Sequence, residues 1–228
     1  MPKYDAAKTQ ARRWLLGRRL APKARERDWV LRELRDRTMV SQQRLRHLYQ
    51  LCSDPALPAG SLVECGVGPG GCTATMAYAG GAARSVWGFD SFEGMPPLSD
   101  EDEGDGTKWV GFRCSGRGLE EAQDTMARLR LRNATLVRGW FEQTLPQYTE
   151  RLGTIAVLRL DNDWYQSTRY CLEQLYDRVA PGGAVIIDDY HSFIGCRKAV
   201  DEFRAERGIV AELITTDADS EAWWRKPG

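Results

Sequence analysis

Residues 61–71 read Ser61-Leu62-Val63-Glu64-Cys65-Gly66-Val67-Gly68-Pro69-Gly70-Gly71, an apolar run that breaks into glycine. The run predicts a strand over Ser61–Val67, and the glycines predict a tight turn into a helix. Glycine lets backbone amides approach a ligand closely, and a helix N-terminus behind them favours negative charge. Gly66, Gly68 and Gly71 match the G-x-G-x-x-G spacing of nucleotide-binding βαβ units, with Asp90 about 20 residues on to meet ribose hydroxyls. Alone, that match does not separate a dinucleotide from another adenosyl ligand.

Working outward, short apolar runs recur at Ser85–Asp90, Ala134–Arg138, Ile155–Asp161 and Ala184–Asp188. A last pair lies near Val210–Thr215 and Glu221–Trp224. Helical patterns intervene, chiefly Gly118–Leu131, Ser167–Val179 and Cys196–Gly208. Such alternation predicts an α/β fold: a doubly wound, mostly parallel, Rossmann-like sheet of seven strands, covered on both faces. Pro181-Gly182-Gly183 punctuates entry to the fifth strand. Residues 96–118 break the rhythm with Pro, Gly and acidic residues and predict a mobile loop over a site.

Two further runs end in acids: Leu158-Arg159-Leu160-Asp161-Asn162-Asp163-Trp164-Tyr165 and Val185-Ile186-Ile187-Asp188-Asp189-Tyr190-His191. Ligands in open α/β sheets bind beyond the carboxyl ends of strands, so Asp161, Asp163, Asp188 and Asp189 are expected to converge. Four carboxylates together repel unless a cation neutralises them or their pKa values rise. An all-oxygen set with room for water suits Mg²⁺ better than zinc. Capping of the following helices is the structural alternative for these aspartates.

The 228 residues fit one globular domain with a small appendage. Net charge is zero, which argues against nucleic acid as a partner. Residues 1–50 nevertheless hold 14 Lys/Arg against 5 Asp/Glu, leaving 18 against 27 for the remainder. Thr9–Leu20 and Ala24–Cys52 read as two helices separated by Ala21-Pro22. Trp14, Leu15, Leu16 and Leu20 among arginines would suit a membrane surface. A cap docked on the core, or a contact in a homo-oligomer, is the preferred reading. The expected division is a helical cap over 1–52 and a catalytic domain over 53–228. No run nears the ~18 residues that span a bilayer, and no signal peptide is evident, so no membrane partner and a cytoplasmic setting are expected. The six cysteines form no CxxC pair and are expected as reduced thiols.

Glu64, two positions before Gly66, gives E-x-G-x-G-x-G, which resembles the first motif of class I methyltransferases. A carboxylate there is in reach of the methionine end of S-adenosylmethionine, whereas beside a pyrophosphate it would be repelled. More specifically, the chain from about Thr38 to Gly208 resembles the macrocin O-methyltransferase family, metal-dependent enzymes acting on sugar hydroxyls of antibiotics. Thr38-Met39-Val40, Asp90-Ser91-Phe92-Glu93-Gly94-Met95-Pro96-Pro97 and Gly139-Trp140-Phe141-Glu142-Gln143-Thr144-Leu145-Pro146 carry the likeness. So do Asp161-Asn162-Asp163-Trp164-Tyr165-Gln166-Ser167-Thr168, Asp188-Asp189-Tyr190 and Gly195-Cys196-Arg197-Lys198-Ala199-Val200-Asp201.

The resemblance implies S-adenosylmethionine and Mg²⁺ as cofactors and a small-molecule acceptor, a glycosylated metabolite. It implies Asp161, Asp188 and Asp189 as metal ligands and Asp163 as general base. It places Met39, Glu64, Gly66, Val67, Gly70, Asp90, Ser91, Trp140, Phe141 and Asp161 around the methyl donor. Pro69 departs from the family pattern and cannot donate a backbone N–H. His191 stands where the family usually has Gly, and three readings stay open: it lines the acceptor pocket, acts as an extra base, or is a surface histidine without a role. A catechol or phenol O-methyltransferase, an NAD-dependent oxidoreductase and a non-catalytic cofactor-binding protein are the alternatives.

Overall fold

The apolar runs become the strands Ser61–Cys65 (β1), Val86–Asp90 (β2), Ala134–Arg138 (β3), Ile155–Leu160 (β4), Val179–Ile187 (β5), Ile214–Thr215 (β6) and Ala222–Arg225 (β7). The structure is a computed structural model, and it describes residues 24–228 apart from 103, 105, 106 and 217–219. The seven strands form one sheet in the order β3-β2-β1-β4-β5-β7-β6. The first five are parallel, while β7 runs antiparallel to β5 and β6. The order reverses between β1 and β4, so a crevice opens there at the carboxyl edge of the sheet.

The helices are residues 24–33 (α1), Gln42–Cys52 (α2), Gly71–Gly80 (α3), Leu119–Arg128 (α4), Phe141–Leu152 (α5), Tyr165–Leu175 (α6) and Ile194–Glu206 (α7). Side chains alternate across each strand, and two apolar layers result. Leu62, Val157 and Ile186 face Leu31, Leu45, Leu48 and Met76 of α1, α2 and α3. Val63, Leu158 and Val185 face Leu145, Leu172 and Phe203 of α5, α6 and α7. Both faces of the central strands are thus dry, which accounts for their near-continuous apolar sequence.

Three expectations change. The predicted helix 24–52 is two helices: the chain turns through Thr38-Met39-Val40, and Ser41 restarts it as an N-cap, its hydroxyl accepting from Arg44 N at 3.3 Å. The fifth strand begins at Val179, and Pro181-Gly182-Gly183 sits in a bulge where the register on β4 slips. Helix α5 went unpredicted because Pro146 lies inside it. The expected helix at Thr9–Leu20 lies outside the described residues. No helix among the described residues is long and apolar enough to cross a membrane.

Candidate active site

The crevice holds a cavity of about 900 Å³, near the upper end of the roughly 300–1,000 Å³ usual for ligand sites. The ends of three successive strands supply one wall. After β1, Gly66 brings the turn against β4 so closely that a Cβ there would overlap the carbonyl oxygen of Asp161. After β2, Asp90 turns its carboxylate back on that turn: Oδ2 accepts from Val67 N and Gly68 N, both at 2.8 Å. Its Oδ1 accepts from Phe92 N at 2.6 Å. After β3, Trp140 and Phe141 add an aromatic flank. Met39 and Ser91 complete this half of the lining.

The other wall carries the acids. Carboxylate oxygens of Asp161, Asp163 and Asp189 lie within 4.8 Å of one another. Asp163 adopts φ 63°, a left-handed conformation that Asp tolerates better than most residues and that recurs at functional sites. Burial, then the charge of Asp161, pushes the Asp163 carboxyl up to about 8. Burial and Asp163 push Asp189 well above the usual carboxylate range. Asp189 Oδ2 is buried with no hydrogen-bond partner among the described residues. A short-range acidic triad with an orphaned oxygen is matched in charge and donor type to a hard divalent cation.

Asp188 lines the cavity but is committed elsewhere. Arg159 Nη2 donates to its Oδ1, and Arg44 Nη1 donates to its Oδ2 at 2.8 Å. Arg159 is 1% exposed, and its Nη1 also donates to Glu64 Oε1 at 2.6 Å and Asp161 Oδ2 at 2.8 Å. Glu64 and Arg159 are direct cross-strand partners on β1 and β4, and strand alternation points both to the α2–α3 side. The Thr73 hydroxyl also donates to Glu64. Burial pushes Glu64 up to about 7 against the pull of Arg159, and the three carboxylates hold Arg159 firmly charged.

Several expected positions therefore lie off the cavity wall. Glu64 is fully buried behind it, facing Arg159 instead of the cavity. Gly70 caps α3 in a left-handed turn packed on Ala122 of α4. His191 is not among the residues lining the cavity: its Nε2 lies 3.1 Å from Thr215 Oγ1, and its ring packs edge-on to Tyr190. Of the four aspartates expected to converge, Asp163 stands with Asp161 and Asp189, while Asp188 is the one held aside by Arg159 and Arg44. Arg44 and Arg159 were not anticipated. A charge in the middle of the apolar strand Ile155–Leu160 was the available signal for Arg159; Arg44, among many helical arginines, had none.

The loop over the cavity is tied to the acidic wall. Asp102 is buried, its Oδ2 accepting from Ser99 N at 2.9 Å and its Oδ1 from Tyr165 N at 2.8 Å, so it caps the first turn of α6. Trp164 Nε1 donates to Pro96 O at 3.0 Å.

The macrocin-O-methyltransferase family matches residues 6–226. The chain is 38% identical over 214 residues to the demethyldecarbamoylnovobiocin O-methyltransferase of Streptomyces niveus, covering 87% of this chain and 78% of that one. It is 37% identical over 198 residues to the 8-demethyl-8-(2,3-dimethoxy-alpha-L-rhamnosyl)-tetracenomycin-C 4'-O-methyltransferase of Streptomyces olivaceus, covering 82% and 74%. Among solved structures, the O-methyltransferase NovP superimposes with a TM-score of 0.73 at 34% identity, over 84% of this chain and 83% of that one.

Proposed function

Because the chain belongs to the macrocin O-methyltransferase family, we propose that it transfers a methyl group from S-adenosylmethionine to a sugar hydroxyl on a natural product, using Mg²⁺. The observation that carries this reading is one cavity with two chemically distinct walls. One wall has the glycine turn, Asp90 and an aromatic pair; the other has three carboxylates within 4.8 Å. The relative whose name specifies a rhamnosyl group supports a sugar acceptor. The dinucleotide alternative has no use for the acidic triad.

S-adenosylmethionine, when bound, supplies an electrophilic methyl on a sulfonium, and the negative character of the cavity suits its positive charge. Asp90 is placed to accept from ribose hydroxyls, with Trp140 and Phe141 flanking the adenine and Gly66-Val67 giving close backbone contact. A divalent cation held by Asp161 and Asp189, with Asp163 or Asp188 beside them, would let the carboxylates ionise together and would lower the pKa of a nearby hydroxyl. Asp163 accepts the proton of the reacting hydroxyl, the cation keeping it ionised and able to do so. The loop pinned by Asp102 and Trp164 excludes water from this half. Glu64 and Arg159 act from behind, holding Asp161 in place.

Transfer of labelled methyl from S-adenosylmethionine to a panel of glycosides and simple phenols tests the reaction class. Product on glycosides with a methylated sugar oxygen is expected, and product on phenols alone would overturn the sugar assignment. Exhaustive chelation with EDTA is expected to abolish that turnover and added Mg²⁺ to restore it, because three carboxylates gather there and Arg159 donates to Asp161 alone among them in the described contacts. Undiminished turnover after chelation would make the triad structural.

Asp90→Ala should weaken S-adenosylhomocysteine roughly tenfold or more in calorimetry. It removes acceptors for two ribose hydroxyls, each worth about 0.5–1.5 kcal/mol net, and also the brace on Val67 and Gly68. Unchanged affinity in a folded variant would remove Asp90 from the donor site.

A further inference from the structure

We propose that the acceptor carries a flat apolar ring system next to the reacting sugar and seats it against Trp109, Phe112 and Phe193. This rests on the reading of the cavity as a methyl-donor and acceptor site. An edge-to-face series of rings leads outward from the acidic wall. Trp164, adjacent in sequence to Asp163, meets Phe193 at 5.1 Å between centroids; Phe193 meets Trp109 at 6.5 Å; Trp109 meets Phe112 at 5.2 Å. All four rings line the cavity. Trp164 is buried, whereas Phe112 is 37% exposed, so the series runs from the reaction centre to the rim.

Exposed apolar groups gather at the same rim. Phe112 belongs to the lining, and the exposed Val110 and Ile194 are sequence neighbours of the lining rings Trp109 and Phe193. Aromatic faces left open to solvent at a pocket mouth favour another flat ring through apolar burial and offset or edge contacts.

The charges argue against the other way in which a sugar is commonly presented, on a nucleoside diphosphate. The described lining residues include seven carboxylates against two guanidinium groups. Arg44 is engaged with Asp188 and Ser220, and Arg113 sits at the rim with its Nε donating to Glu93 O. Even with a divalent cation bound, seven carboxylates outnumber the positive charges of that ion and two guanidinium groups, so a pyrophosphate would enter a field of its own sign, whereas a neutral ring system would not.

Titration with 2-naphthol and, separately, thymidine diphosphate, both under saturating S-adenosylhomocysteine, tests this. 2-Naphthol should bind with a Kd of about 1 mM or tighter, and Trp109→Ala or Phe193→Ala should weaken it about tenfold. Trp29→Ala, which removes an exposed ring packed on Tyr78 away from the cavity, should leave the naphthol affinity unchanged. Undetectable naphthol binding, wild-type affinity in both cavity variants, or tighter binding of thymidine diphosphate would each overturn the proposal. Failure of S-adenosylhomocysteine to bind would sink the donor assignment by itself, and the naphthol titration would still report on the aromatic wall.

Discussion

Asp163→Asn lowers turnover by about 10²–10⁴-fold, the usual worth of a positioned general base, while leaving donor affinity nearly intact. Asparagine keeps the size of the side chain and tolerates the left-handed backbone at this position, so the loss reports proton acceptance and not refolding. The contrast is with Asp161→Asn, which removes a carboxylate from the triad while Arg159 still approaches the site. That variant should bind Mg²⁺ more weakly, and excess Mg²⁺ should recover part of its rate. The structure sharpens the comparison, because Asp163 lies as close to Asp189 as a ligand would. Recovery of Asp163→Asn by excess Mg²⁺ would make Asp163 a ligand. A wild-type rate in that variant would end its role as base, and His191 is not on the cavity wall to replace it.

Arg159→Met should destabilise the fold by about 3–5 kcal/mol, read from urea unfolding. The guanidinium is buried among carboxylates from β1, β4 and β5. Asp188 keeps Arg44 when Arg159 is lost, and Asp161 is 28% exposed and reaches solvent. Glu64, with no exposure at all, keeps the Thr73 hydroxyl as its remaining partner among the described residues, so most of the cost falls there. Adding Glu64→Gln to Arg159→Met should therefore recover a part of the loss, since it replaces a buried carboxyl that must otherwise take up a proton once Arg159 no longer lowers its pKa. A single-variant loss below about 1 kcal/mol, or a double variant worse than additive, would contradict this account.

The sheet was legible because its strands are buried on both faces and stand out as apolar runs, and because glycine and aspartate mark their carboxyl ends. The convergence of Asp161, Asp163 and Asp189 follows from β4 and β5 being neighbours, which the order of motifs already implied. What the sequence hid was direction. Residues two apart on an extended strand share a face, but the chain after Leu160 is no longer extended, and a left-handed Asp163 rearranges which carboxylates meet. Partnering was hidden too: Asp188 and Glu64 are ordinary members of their motifs until Arg159 and Arg44 are placed beside them. The break in the leading helix was readable only as β-branched Thr38 and Val40 before a capping serine, a weak signal against strong helical periodicity on both sides.

That break has a practical side. The segment from Arg37 to Arg44 presents Met39 and Val40 to the cavity, which makes it attractive for grafting between relatives to alter the cavity lining. Yet the same few residues hold the sheet edge: the Arg37 carbonyl accepts from Gly71 N at 2.9 Å, Gln43 donates to Thr216 O at 2.8 Å, and Arg44 neutralises Asp188. A transplanted segment would carry its own counter-charge for the acidic wall and its own clamp on the glycine turn. Cavity lining and charge balance are inherited together here, so chimaeras at this junction need Arg44 and the Arg37–Gly71 contact retained if only the lining is to change.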